Sequence, residues 1–292
     1  MSRKSIYISF LSLFILFTAC NSDKKVYESS TSKKKKRFEI TIGKFNKMVK
    51  NGDMDAKYAA AVKYFDKEDY TKALTLFEEL MAVYRGTERG EEVHYYYAYC
   101  NYNVGDYIVA GYQFRNYVRN YPDTKHTEEC AYMNAYCFYL NSPEYSLDQI
   151  DTKLAIKEFQ NFVVHYPKSD RIPKCNEQID QLRGKLERKS YENAMLFYNM
   201  QDYRAAITCF NNHVKDFPGS EKVEEVTYLT IKSYYLLALN SIESKKQERF
   251  KAVVDTYFKF VDAFPKSTYL KDAEMVYDSA VKNIEKYNKS RS

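Results

Sequence analysis

Cysteine and histidine announce chemistry through their spacing, and this chain holds six of the first and four of the second. Cys130 and Cys137 share one helix face but stand two turns apart, roughly 10 Å, beyond the reach of a disulfide. No Cys-x-x-Cys pair occurs, and Cys100, Cys175 and Cys209 stand alone inside helical runs. Small buried hydrophobes are their expected role, with one long-range bridge left open by an oxidising compartment. His94, His126, His165 and His213 form no HxxH or HExxH pair. Phosphate-cradling glycine loops, nucleophile elbows and paired-carboxylate motifs are missing too. The expectation is a protein that is not an enzyme and needs neither metal nor cofactor.

Two features do carry chemistry. The first is tyrosine, 30 residues against 18 Phe and no Trp. Tyr95, Tyr96, Tyr97, Tyr99 and Tyr102 encircle one helical run, so they cannot all face a single core. They either pack between neighbouring repeats or form an aromatic platform for an apolar peptide. On the second reading Tyr64, Tyr95, Tyr99 and Tyr102 are the peptide-binding candidates. The second feature is Cys20. Arg3-Lys4 opens the chain and Ile6 to Ala19 is apolar or small, shorter than the ~20 residues of a bilayer span and so a signal peptide. Thr18-Ala19-Cys20 resembles the bacterial lipobox, with Phe17 where leucine is usual. That resemblance implies cleavage before Cys20, lipidation of its thiol and acylation of its new amine. Several acyl chains anchor stably without a transmembrane helix. Asn21 in place of aspartate is common in outer-membrane lipoproteins. A plain secretory signal ending near a cysteine is the alternative.

Residues 1–19 are therefore the leader and 20–44 a lipidated tether rich in Ser and Lys, unable to bury enough apolar surface to fold alone. Its length corresponds to on the order of 25–30 Å root-mean-square. The Lys33–Arg37 cluster either touches anionic headgroups or is simply solvated. Losing Arg3 and Lys4 with the leader takes two from a formal charge of +6, too mild and too dispersed a balance for nucleic acid.

The elements that must position these residues come from a repeated comb. Tyr107, Ala110, Phe114, Tyr117 and Tyr121 step by three and four, one stripe along a helix. The same stride gives Tyr70, Ala73, Phe77, Leu80, Tyr84, then Thr152, Ala155, Phe159, Phe162, Tyr166. It returns as Tyr203, Ala206, Phe210, His213, Phe217 and as Phe250, Val253, Tyr257, Phe260, Phe264. Pro122, Pro167, Pro218 and Pro265 end four combs, where proline stops a helix; Arg85 takes that place in the first. Twelve residues before Ala73, Ala110 and Ala206 lie Ala61, Ala98 and Ala194, small residues that let two antiparallel helices approach. Asp69, Asp106 and Asp202 end the intervening turns and can cap the following helix.

The fold class is thus all-α, an α-solenoid of about five helix pairs over 45–288, with repeats near 53–85, 88–122, 127–167, 170–218 and 221–265. Phe45, Met48 and Val49 should cover the first repeat, and a capping helix over 269–287 should close the last. Repeat three holds an insertion, Asn141 to Gln149, where Pro143 breaks the first helix and Asp148 or Asp151 starts the second. Repeat four opens on Ile172-Pro173 with a helix of about 25 residues. Repeat five carries a polar insertion, Asn240 to Ser244.

With Gly105-Asp106-Tyr107, Ala110, Phe114, Pro122 and Ala98 in place, the unit resembles the tetratricopeptide repeat. More narrowly, the lipobox, Asp69-Tyr70-Thr71-Lys72-Ala73, Asn120-Tyr121-Pro122 and the run from Ser146-Leu147-Asp148-Gln149 through Thr152, Ala155-Ile156, Phe159 and Phe162 to Tyr166-Pro167 resemble the BamD-type lipoproteins of outer-membrane β-barrel assembly. The resemblance implies a scaffold on the periplasmic face of the outer membrane. It would bind a BamA-type barrel protein, through the C-terminal half, and the C-terminal signals of unfolded outer-membrane proteins, through repeats one and two. Two alternatives share features: a periplasmic tetratricopeptide adaptor of the cell-division coordinator type, and a SusD-type glycan-binding lipoprotein. The first carries a coiled coil where residues 21–52 show no heptads; the second is much longer with large binding loops.

Overall fold

The computed structural model describes residues 43–289. The leader, Cys20 and most of the tether lie outside the described residues. Among those described there are helices and turns and no strand. The sequence reads as one stack; the structure divides into two compact units between Gly105 and Asp106, in the turn of the second expected hairpin.

The first unit holds α1 (43–51), α2 (Met54–Phe65), α3 (Tyr70–Val83) and α4 (Glu88–Asn103). Ala61 on α2 and Ala73 on α3 are fully buried, with Leu76, Phe77, Leu80, Val93 and Cys100 completing the core. The Ala61–Ala73 pairing is what the twelve-residue spacing requires of two helices in close contact. Phe45, Met48 and Val49 of α1 pack against this core, as expected of a cover. Lys57, nearly buried on α2, pairs with Glu79 on α3 and so avoids an uncompensated charge.

The second unit holds α5 (Tyr107–Asn120), α6 (Thr127–Asn141), α7 (Ile150–His165), α8 (Ile172–Asn199), α9 (Tyr203–Asp216), α10 (Val223–Leu239), α11 (Glu243–Ala263) and α12 (Leu270–Lys289). Each helix packs on the next, and α12 lies on both α10 and α11. Ala110, Phe114, Tyr117, Ala155, Phe159, Ala206, Phe210, Val253 and Phe260 are all fully buried. The comb is therefore the core stripe. Gly111 on α5 fits so close to α6 that an added Cβ would meet the Cys137 Cβ at 3.2 Å.

Helix ends follow local chemistry. Tyr121, Tyr166, Phe217 and Phe264, each before proline, share φ between −134° and −121° and ψ of 61–65°, because proline bars its predecessor from the α region. Tyr84 precedes Arg85 instead. It stays near the helix at φ −90°, ψ 7°, and the chain turns at Gly86 with φ +79°. Asp53, Asp106 and Asp202 accept from Ala56, Val109 and Ala205 amides at 2.7, 3.1 and 3.1 Å. Asp69 does not cap α3. Its carboxylate is taken by Lys72, a charged partner that outcompetes a neutral amide.

Three corrections concern the later repeats. α7 starts at Ile150, between the two expected aspartates, with Gln149 as its N-cap and Asp148 accepting from the Ile150 amide at 2.9 Å. α8 spans 28 residues, longer than expected. The polar insertion of repeat five is a turn only over 240–242, since α11 begins at Glu243, whose side chain pairs with Lys246 one turn on.

The inter-helix turns hold a testable strain. Glu68, Gly105 and Gln201 occupy the same turn position with φ of 60°, 88° and 62°, where non-glycine residues pay about 1–2 kcal/mol. Gln201→Gly is expected to raise stability by about 0.5–1 kcal/mol, read as a higher urea midpoint.

Candidate functional site

The five tyrosines of α4 separate into two sets. Tyr96 stacks on Phe77 with centroids 5.3 Å apart and meets Phe65 at 4.9 Å; with Tyr97 it belongs to the first core. Burial, then the Glu92 and Asp66 carboxylates, hold its phenol above the ordinary range. Tyr95, Tyr99 and Tyr102 form a ladder instead. Tyr95 and Tyr99 centroids are 4.7 Å apart, Tyr99 and Tyr102 6.3 Å, as the i, i+4, i+7 stride of one helix face dictates. All three are half-buried.

Tyr64 is not part of this ladder. On α2 it meets Phe45 of α1 edge-on at 5.6 Å, with the Lys72 ammonium 5.4 Å from its ring centroid. Three of the four candidate residues thus come together and the fourth is held at the covered end of the unit. Amphipathic rings of this kind, packed through one face and polar at the tip, suit a peptide-recognition surface.

The insertion between α6 and α7 is a braced element. Gln149 donates to the Glu144 and Leu147 carbonyls at 2.8 and 2.9 Å and accepts from the Thr152 hydroxyl at 2.7 Å. Thr152 also meets Ser142 at 2.6 Å, and Lys185 of α8 donates to that serine's hydroxyl at 2.7 Å. Lys189 reaches the Leu147 carbonyl at 2.5 Å, and the Arg188 guanidinium lies 4.1 Å from the Tyr145 ring centroid. These contacts tie the segment to α8.

Sequence reasoning missed a second device. Two residues after each comb proline stands a hydroxyl: Thr124, Ser169, Ser220 and Ser267. Ser169, Ser220 and Ser267 accept from the amides of Arg171, Lys222 and Tyr269 at 3.2, 3.0 and 3.0 Å. Each donates to a glutamate on an earlier helix: Glu128 at 2.5 Å, Glu187 at 2.6 Å and Glu224 at 2.6 Å. The serine thus starts one repeat and staples it to its predecessor. The spacing Pro-x-Ser/Thr was the available signal.

The five described cysteines are free thiols, all but Cys209 buried. Burial pushes Cys100 and Cys137 to about 12 and Cys175 to about 11, which keeps them protonated and inert. Among the described residues no three His, Cys, Asp or Glu side chains converge as metal ligands, and no helix is long and apolar enough to cross a membrane.

Antiparallel helix pairs, repeated along the chain and stapled at three of their junctions, define a helical-repeat scaffold protein. Comparison with known proteins adds the family. The model described as "YfiO: Outer membrane lipoprotein" matches residues 50–250 and again 194–288. The chain belongs to that family of outer membrane lipoproteins, the BamD type. No curated protein sequence matches it. Among solved structures it is similar to the TPR2AB domain of yeast Sti1 in its pHSP90 complex, at 11% identity and TM-score 0.36, covering 78% of this chain and 98% of that one. It is also similar to the P58(IPK) TPR domain, at 16% identity and TM-score 0.38, covering 84% and 67%.

Proposed function

We propose that this protein is a non-catalytic scaffold of β-barrel assembly, held to the periplasmic face of the outer membrane by lipid on Cys20. The family match across residues 50–288 carries the reading; Thr18-Ala19-Cys20 supplies the anchor. Residues 1–19 are then the leader, 20–44 the lipidated tether and 45–288 the repeat domain. The tyrosine ladder on α4, with Tyr64 on α2, is the site for the C-terminal signals of unfolded outer-membrane proteins, each an extended segment with alternate apolar side chains. The C-terminal half, including α8 and the insertion it braces, is the dock for a BamA-type barrel subunit.

One experiment addresses the whole reading. The full-length protein is extracted from outer membrane in mild detergent after growth with labelled palmitate, and its companions are identified. The expected result is label at Cys20 and a co-purifying barrel protein with periplasmic repeat domains. Recovery of division or glycan-uptake components, or no palmitate at Cys20, would reject it.

A further inference from the structure

The outer face of α1 is a strip of lysines. Phe45, Met48 and Val49 pack on the core of the first unit, and every exposed residue of the helix is glycine, lysine or asparagine. Lys44, Lys47 and Lys50 step by three, so the helix sets them in one row. Among the described residues no carboxylate stands at ion-pair distance from any of the three, whereas Lys57 on the next helix is matched by Glu79. The row continues a feature of the sequence. Residues 33–51 hold eight cations, Lys33 to Arg37 and the three of α1, against one carboxylate, Glu39.

The composition of that face selects its occupant. A protein partner is held through an apolar centre with aromatic anchors, and α1 turns its apolar side chains to the core. Single-stranded nucleic acid is held by stacking on exposed rings, and the ring of Phe45 is taken up by Tyr64. Cations without apolar or aromatic company suit a plane of anionic headgroups. Each Lys or Arg near such a surface contributes about five-fold in affinity, about 1 kcal/mol. Chain length agrees with the charge. Gly43 follows Cys20 by 23 residues, so even a fully extended chain holds α1 within about 80 Å of a lipid on that cysteine.

We propose that Lys33 to Arg37 and the Lys44, Lys47, Lys50 row of α1 bind the anionic phospholipid headgroups of a membrane surface, so that the first unit rests on it by its α1 end. The inference rests on the reading of Cys20 as the lipidated residue for its placement, and it adds a contact that acyl chains alone do not make.

Lysine footprinting tests it on the lipidated full-length protein, reconstituted into vesicles of phosphatidylcholine alone or with about one third phosphatidylglycerol. An amine-acetylating reagent is applied briefly and the labelling of each lysine is read by mass spectrometry. Lys44, Lys47 and Lys50 are expected to react about five-fold more slowly in the anionic vesicles, the factor equivalent to about 1 kcal/mol. High salt, which screens the headgroup charge, should restore their rates. Lys251 and Lys259, exposed on α11, should react alike in both. Equal rates for the α1 row in the two vesicle types overturn the proposal, as does protection that high salt leaves in place. Protection of Lys33 to Lys36 without the α1 row also overturns it, because α1 would then stand off the surface. If poly-glutamate protects the row in neutral vesicles and phosphatidylglycerol does not, the strip belongs to an acidic protein and the proposal falls. Flotation separates this contact from the anchor. A protein that floats with neutral vesicles but shows equal rates keeps the Cys20 reading and loses this one. One that floats with anionic vesicles alone, its α1 row protected, loses the acyl anchor and keeps the headgroup contact. One that floats with neither loses both.

Discussion

Phe210→Ala is expected to destabilise the second unit by about 3–5 kcal/mol, the range for deleting a buried phenylalanine and leaving its cavity. Phe210 is fully buried at the centre of a cluster with Ala194, Ala206, Val226 and Ile231, and its ring lies 6.2 Å from that of Tyr198. Alanines at 194 and 206 let α8 and α9 approach closely, so neighbouring backbone has little freedom to collapse into the void. Urea denaturation followed by circular dichroism measures the effect, with Phe258→Ala as the comparison. Phe258 is 51% exposed and its loss should cost about 1 kcal/mol or less. Equal effects of the two substitutions would mean that the comb is not the core stripe.

His213→Phe is expected to stabilise the same unit by about 1–3 kcal/mol, the cost of a buried polar group left without a partner. His213 is fully buried in the comb slot that Leu80, Tyr117, Phe162 and Phe260 fill elsewhere, and neither ring nitrogen has a hydrogen-bond partner among the described residues. Its neighbours are the rings of Tyr191 and Phe217, 6.1 and 5.5 Å away. Burial pulls its pKa below the usual 6.5, against the opposing pull of Glu187 and Asp216. Below pH 6.5 the unfolded chain therefore binds the proton more readily than the folded one, and stability falls as pH falls. Above 6.5 both states are neutral there and this contribution is flat. Urea midpoints at pH 7.5 and pH 5.5 measure it: the native protein should lose more stability between the two than His213→Phe. A variant with an unchanged pH slope would show that His213 is protonated while folded.

His213 also illustrates how far a repeat can be read from its letters. The stride of three and four places residue 213 in the core whatever its identity, because the helix period is local. The same reasoning located Ala61, Ala73, Ala194 and Ala206 at helix contacts and α1 over the first core. It placed Tyr96 and Tyr99 on one helix without separating them. Only the arrival of Phe77 from α3 makes Tyr96 a core residue, while Tyr99 lies in a ladder along α4. Asp69 was legible as a helix-preceding aspartate, yet Lys72 takes its carboxylate.

The amino-acid order by itself settles which segments are helical, which stripe of each is buried and where four of the combs stop. Those properties depend on neighbours within about four residues and on proline's ring. Tertiary structure alone settles which charges are cancelled and which remain. Arg115 and Arg119 are equivalent on paper, one turn apart on α5, until α7 brings Glu158 to the first, while among the described residues no carboxylate pairs with the second. Ser169, Ser220 and Ser267 likewise become staples only when glutamates 33 to 43 residues away fold against them. Electrostatic pairing acts through space, and the distances that govern it exist only once the helices have packed.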